Sequence, residues 1–137
     1  EINEAKQNLW FDMINAPNSN HKMFAIVDFK SDRLLGACGL CYIDWINRSA
    51  DFSIYIGYDN LYIDNKYAVE ASELMIDYGF KILNLHRLWA EIYSIDAAKK
   101  TFFDLIKFKL DGELRHTYWH DNKWHNSLFY SLLSHDE

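Results

Sequence analysis

Apolar and polar residues alternate along much of this chain, and the repeat lengthens to three or four residues in only a few stretches. Ile2, Ala5, Leu9 and Met13 predict a helix over Glu1–Ile14. Ala16-Pro17-Asn18-Ser19-Asn20 closes it, because proline and a polar cluster cannot continue a helix. Met23–Phe29 and Leu34–Ile43 predict strands on either side of the polar turn Lys30-Ser31-Asp32-Arg33. Gly36 and Gly39 within the second strand predict a bulge or a close approach by another backbone or a ligand. After a loop from Asp44 to Ser49, Ala50–Ile56 predicts a third strand, so three antiparallel strands follow in sequence.

The stretch Asp51–Phe80 carries that strand through a polar turn into the clearest helix, Tyr67–Ile82. Its apolar stripe is Ala68, Ala71, Leu74, Met75, Tyr78 and Ile82, with Glu70, Glu73 and Asp77 off it. A helix N-terminus fed by a strand leaves backbone N–H groups available to an anion such as pyrophosphate. Arg87–Tyr93 predicts a half-buried strand with Glu91 at its middle. Ala97–Ile106 predicts a helix capped by Asp96, with Ala98, Thr101, Phe102 and Leu105 on one face. Phe108–Trp119 and Trp124–Leu133 predict a terminal hairpin turning at His120-Asp121-Asn122-Lys123. The order predicts one α+β domain of three-layer, α/β type: a mixed sheet with helices on its faces.

Composition narrows the functional classes. The 137 residues suffice for one domain with a real core, and a 50% hydrophobic content excludes a disordered chain. A net charge of −6 lacks the basic footprint of a nucleic-acid binder and is compatible with a cationic substrate such as an amine. No apolar run reaches the roughly 18 residues of a membrane span, and no signal peptide is visible. The expected location is therefore the cytoplasm.

Candidate chemistry is sparse. Cys38 and Cys41 form a C-x-x-C spacing on a predicted strand, where residues three apart face opposite ways, so they read as ordinary thiols rather than a redox pair or half a zinc site. His116 and His120 are expected on one strand face with His125 across the turn, but no acidic fourth ligand accompanies them and no metal is expected. There is no nucleophile elbow, phosphate loop or dinucleotide fingerprint. Asp51 and Glu91 are the strand carboxylates available for acid–base work, although each is by type more often a solvated residue.

Several words in this order resemble the GNAT acetyltransferases. They are Leu35-Gly36, Ile43-Asp44, Asn47-Arg48-Ser49-Ala50-Asp51, Tyr67-Ala68 with Glu70-Ala71, Asp77-Tyr78-Gly79-Phe80, Leu83-Asn84-Leu85-His86-Arg87-Leu88 with Glu91, and Phe108, Gly112, Leu114 and Arg115. Together they resemble the branch that acetylates ribosomal-protein N-termini, spermidine and related amines, over about Met23 to Leu133. In that family a first strand and helix precede the point at which this sequence begins.

The resemblance implies a mixed, mostly antiparallel sheet whose strands Ala50–Ile56 and Arg87–Tyr93 splay apart to admit acetyl-CoA as co-substrate. It implies pantetheine pairing along Ile54, Tyr55 and Ile56, and pyrophosphate on Ile63, Asp64, Asn65, Lys66, Tyr67 and Ala68. Asp96 and Phe103 fall at further cofactor-contacting positions, and Asp51 at the position of a base that deprotonates the amine acceptor. This chain departs from the family where the glycines of the pyrophosphate turn, an asparagine, a tyrosine and a later glycine become Ile63-Asp64-Asn65-Lys66-Tyr67, Asp96, Phe103 and Lys107. Two readings follow: an N-acetyltransferase acting by direct attack, or a non-catalytic scaffold with a degenerate cofactor loop. The aromatic hairpin (Tyr118, Trp119, Trp124, Phe129, Tyr130) is a candidate for pairing between copies of the chain, or for filling the domain's own core.

Overall fold

The computed structural model describes residues 19–57 and 66–136. The predicted helix Glu1–Ile14 and the turn positions Ile63, Asp64 and Asn65 lie outside them. Six strands form one sheet in the order β1-β2-β3-β4-β6-β5. They are β1 (Lys22–Val27), β2 (Leu34–Asp44), β3 (Ser49–Ile56), β4 (Arg87–Tyr93), β5 (Lys109–His120) and β6 (Lys123–Leu133). The helices are α1 (Tyr67–Asp77), continued by a π-turn over Tyr78–Ile82, and α2 (Ala97–Leu105). No helix among the described residues is long and apolar enough to cross a membrane.

The alternation in β3 sorts its side chains: Ala50, Phe52, Ile54 and Ile56 are buried, whereas Asp51 and Ser53 are half-buried and Tyr55 is exposed. In β4, Leu88, Ala90 and Ile92 are likewise buried, with Trp89, Glu91 and Tyr93 opposite. The buried set forms the core under both helices. Helix α1 packs across β2 and β3, while Phe103 of α2 meets Phe52, Phe102, Phe108 and Tyr130 ring to ring.

Gly36 and Gly39 serve close backbone approach, since a Cβ would collide with the Tyr55 carbonyl at the first and the Lys22 carbonyl at the second. The bulge itself lies further on, between Cys41 and Asp44, where Tyr42 takes a φ of 48°. Asp121 and Asn122 both have positive φ, which matches the two-residue hairpin turn that right-handed strand twist favours.

Several sequence expectations are corrected. Leu74 and Ile82 are 73% and 71% exposed, so the buried stripe of α1 is Ala68, Ala71, Ser72, Met75 and Ile76, continuing to Gly79 and Phe80. The π-turn causes the slip at the C-terminal end: the Leu83 N–H donates to Tyr78 O five residues back, which rotates Phe80 inward and Ile82 outward. In α2 the buried residues are Phe102 and Phe103, followed by Ile106, whereas Ala98, Thr101 and Leu105 are exposed.

His116 and His120 do not share a face. His116, at φ 53° in a register shift between Leu114 and Tyr118, stacks on Trp124, while His120 stacks on Tyr118. The irregularity at His116 itself breaks the two-residue period on which the expectation stood. Among the described residues, no three His, Cys, Asp or Glu side chains gather as a metal site would need.

Candidate active site

Strands β3 and β4 run parallel but pair only at Ser49–Arg87, Ala50–Leu88 and Asp51–Trp89. Beyond those three pairs β3 continues to Ile56 and β4 to Tyr93 without meeting, and the gap is the splay. Hydrogen-bond parity fixes what faces it. The Gly57 N–H donates to Leu35 O at 2.8 Å, which makes Gly36–Ile56 a non-hydrogen-bonded pair of the antiparallel ladder. The amide and carbonyl of Ile56 therefore point away from β2 and into the splay, as by alternation do those of Ile54. The Tyr55 backbone turns to β2, so of the three predicted strand positions the alternate two present their main-chain groups to the splay.

The same argument holds across the gap. The Ser94 N–H donates to Asn126 O at 2.8 Å and the Ser134 N–H to His86 O at 2.9 Å, so the backbones of Glu91 and Tyr93 face the splay from β4. An extended ligand entering here would find strand-type donors and acceptors on both sides, as in the addition of a strand.

Helix α1 begins at Tyr67, which lines a groove with Phe24–Val27 of β1 and Cys38 of β2. Lys66 occupies the N-cap with no side-chain cap bond, and its Nζ lies 5.2 Å from the centre of the Tyr67 ring. Its charge also helps to hold the Asp28 carboxyl below its ordinary pKa, after hydrogen bonds from Ser31 and Lys30. Tyr67 packs against the core and Ala68 is fully buried, so the turn's end is anchored while Lys66 is exposed. The first N–H groups of a helix have no intrahelical carbonyl, and together with the helix dipole they favour an anion. At α2, Asp96 is the N-cap, accepting from the Lys99 N–H at 3.1 Å, as expected. Phe103 is 2% exposed among four rings, and its described environment is the core beneath the splay.

On the other face of the sheet, at the point where the strands part, Asp51 lies between Cys41 of β2 and Trp89 of β4. Burial, reinforced by the Glu91 charge and opposed by Lys99, raises its pKa to about 6. Glu91 stands two residues past Trp89 on that face, and its Oε2 accepts from Ser127 Oγ. The Ser127 hydroxyl also meets Thr117 Oγ1. Aromatic side chains flank the pair: Tyr93 stacks on Tyr118 at 4.0 Å, and Trp89 lies 6.2 Å from Phe129. The face thus offers carboxylates among rings, which suits an ammonium or amine.

The structure therefore sets Asp51, Ile54 and Ile56 along one parting of strands, with Glu91 on the face of Asp51, whereas Tyr67 lines a groove with Phe24–Val27 of β1 and Lys66 lies toward Asp28. Ser127 and Thr117 escaped the sequence analysis. The signal available for Ser127 was a small polar residue inside the apolar run of β6. Neither cysteine offers a nucleophile: burial pushes Cys38 up to about 11, and burial with the Asp51 charge raises Cys41.

Comparison with known proteins agrees with this geometry. Residues 1–109 match the family described as Acetyltransferase (GNAT) domain. An uncharacterised N-acetyltransferase, p20, of Bacillus licheniformis is 33% identical over 94 residues, covering 67% of this chain and 51% of that protein. The spermidine N(1)-acetyltransferase of Escherichia coli K12 is 27% identical over 100 residues, covering 73% of this chain and 53% of the relative. The chain thus spans about half the length of these curated relatives.

Among solved structures, spermidine N-acetyltransferase from Vibrio cholerae in complex with CoA and spermine superposes with a TM-score of 0.86 at 20% identity, over 99% of this chain and 78% of that one. A dodecameric form of the Vibrio cholerae enzyme gives a TM-score of 0.78 at 21% identity, over 95% and 72%. The fold is the one predicted, a mixed, mostly antiparallel sheet with a central splay.

Proposed function

The chain belongs to the GNAT acetyltransferase family, and from that premise we propose that it transfers an acetyl group from acetyl-CoA directly to a primary amine, with a polyamine such as spermidine as the acceptor class. The observation that carries the proposal is the splay, where the backbones of Ile54 and Ile56 face a gap that β4 has left. Acetyl-CoA, when bound, supplies a thioester whose carbonyl carbon an amine can attack. The residues present fit such a co-substrate: main-chain groups of β3 for its amide-bearing arm, and the start of α1 with Lys66 for its phosphates.

Asp51 is the proposed base. An ammonium has no lone pair, and a carboxylate at the mouth of the splay can take its proton directly or through water. The pKa of about 6 leaves Asp51 ionised at neutral pH, yet narrows its gap to an alkylammonium, which loses its proton near 10.4 in lysine. A β3 N–H facing the splay is placed to stabilise charge developing on the carbonyl oxygen. Attack is direct because neither thiol is ionised at neutral pH. Asp51 takes the ammonium proton before attack; as the C–N bond forms and the C–S bond breaks, the second N–H proton passes, directly or through water, to the departing sulfur, so that CoA leaves as the thiol.

The spermidine enzymes among the relatives and the acidic balance of −6 favour a cationic acceptor. Self-association is part of the same proposal. The edge strand β5 and its hairpin expose Leu110, Leu114, Trp119 and Trp124, each more than half open, and one structural neighbour is dodecameric.

Incubation with acetyl-CoA and spermidine, read by mass spectrometry, is expected to give acetylspermidine. Product only on peptide N-termini would move the acceptor class. No product on either, with no change in melting temperature at millimolar acetyl-CoA, would favour the scaffold reading.

A further inference from the structure

Glu91 is not needed to explain the splay, yet it is held in a specific way. On β4 it points to the face of Asp51, and across the β4–β6 ladder it pairs with Phe129, while Ser127 pairs with Tyr93. Glu91 and Ser127 are therefore diagonal neighbours, within reach of a long side chain. Ser127 is fully buried, and a buried hydroxyl is costly unless it is bonded. Here it is bonded on two sides, to Glu91 Oε2 on β4 and to Thr117 Oγ1 on β5.

The three hydroxyl and carboxylate groups link β5, β6 and β4 and end beside Asp51 on β3. Thr117 lies within the register shift between Leu114 and Tyr118, next to His116 with its positive φ, and the irregularity re-aims the strand there. The His116 N–H is taken up by Asn126 Oδ1 at 2.9 Å. The bulge and the relay thus belong to one local arrangement.

We propose that Ser127 is a positioning residue for the amine-accepting step: its buried hydroxyl, backed by Thr117, holds the Glu91 carboxylate on the sheet face where Asp51 stands at the parting of β3 and β4. The inference rests on the proposed acetyl transfer only for its catalytic consequence; the coupling itself is a property of the folded chain. Titratable groups that act electrostatically on or with Asp51 from the surrounding elements are Cys41 on β2, Glu91 on β4 and Lys99 on α2. Glu91 raises the proton affinity of Asp51 and Lys99 lowers it. Without the Ser127 bond the exposed Glu91 side chain is free to turn away from Asp51, which weakens the first effect and leaves the second.

The test is a carboxyl NMR titration of Asp51 in the parent protein, Glu91→Gln and Ser127→Ala, with melting temperatures recorded to verify folding. Both substitutions are expected to lower the Asp51 midpoint from about 6, Glu91→Gln by more than Ser127→Ala. Ser127→Thr, which keeps the hydroxyl, is expected to retain the parent midpoint.

A parent midpoint preserved in Ser127→Ala would overturn the proposal, whatever the activity. If Ser127→Ala fails to fold, Thr117→Val takes its place, since it strips the hydroxyl that backs Ser127; its midpoint falls if the relay acts through Glu91 and stays if it does not. Where the parent also acetylates an amine, the acid limb of kcat/KM moves to lower pH with the same midpoint. A shifted midpoint without any acetylation would leave the coupling standing and remove the proposed function alone.

Discussion

Asp51 and Glu91 stand on neighbouring parallel strands, on the same face of the sheet, at the place where those strands cease to pair. Asp51 is the last residue of β3 with a partner on β4, and Glu91 is two residues past that partner, Trp89. The relationship couples chemistry to topology.

Replacing Asp51 by Asn keeps the shape of the side chain and removes the base. Turnover with an amine acceptor is expected to fall by about 10²–10⁴, while the rise in melting temperature on adding acetyl-CoA is retained. In the parent, kcat/KM is expected to rise through about pH 6 as Asp51 ionises. Turnover of Asp51→Asn within a factor of two of the parent would remove Asp51 from the mechanism.

The same group makes stability depend on pH. In the folded state Asp51 keeps its proton up to about pH 6, whereas the ordinary value is 3.8, so the folded state binds more protons between those limits. This contribution to stability is therefore greatest below the lower value and falls as pH rises across the window. Asp51→Asn is expected to melt above the parent at pH 8 and close to it at pH 3.5. An equal difference at both values would contradict the assignment.

Lys107 offers a separate stabilisation. It sits at φ 69° at the end of α2, where the Phe108 N–H donates to Phe103 O and the Lys107 N–H to Asp104 O, the two bonds of a Schellman cap. A residue with a Cβ is strained there by about 1–2 kcal/mol. Lys107→Gly is expected to raise unfolding free energy by about 1 kcal/mol, less than the strain because glycine widens the unfolded ensemble. Denaturant melts with an unchanged slope would show it.

Ser72 in α1 is fully buried, and its Oγ has no hydrogen-bond partner among the described residues. Ser72→Ala removes that desolvated hydroxyl and improves helix propensity, so stability is expected to rise by about 1 kcal/mol. A loss of stability would mean that the hydroxyl is engaged after all.

Much of this fold was legible in the sequence. Period-two runs marked the strands: Arg87–Tyr93 is found as predicted, and β3 begins one residue before Ala50. The hairpin turn announced itself through Asp121 and Asn122, residues that tolerate positive φ. What periodicity missed was local irregularity. The π-turn after Asp77 rotates Ile82 out of the expected stripe, and the irregularity at His116 puts it opposite His120.

The site divides along a similar line. Asp51 and Ile54 to Ile56 were accessible through resemblance to a family, but the alternation that turns Ile54 and Ile56 inward and Tyr55 away depends on the hydrogen-bond phase of the β2–β3 ladder. Ser127 holds Glu91 across a diagonal between strands that only the register of β4 and β6 creates. Sequence spacing carries no record of that register.

The central claim is that the splay receives acetyl-CoA as an added strand, and amide hydrogen exchange on β3 tests it most directly. Adding acetyl-CoA is expected to slow exchange at Ile54 and Ile56, whose amides face the gap, and to leave Tyr55, already turned to β2, nearly unchanged. Exchange at Ile54 and Ile56 that stays at its ligand-free rate under saturating acetyl-CoA would contradict the account.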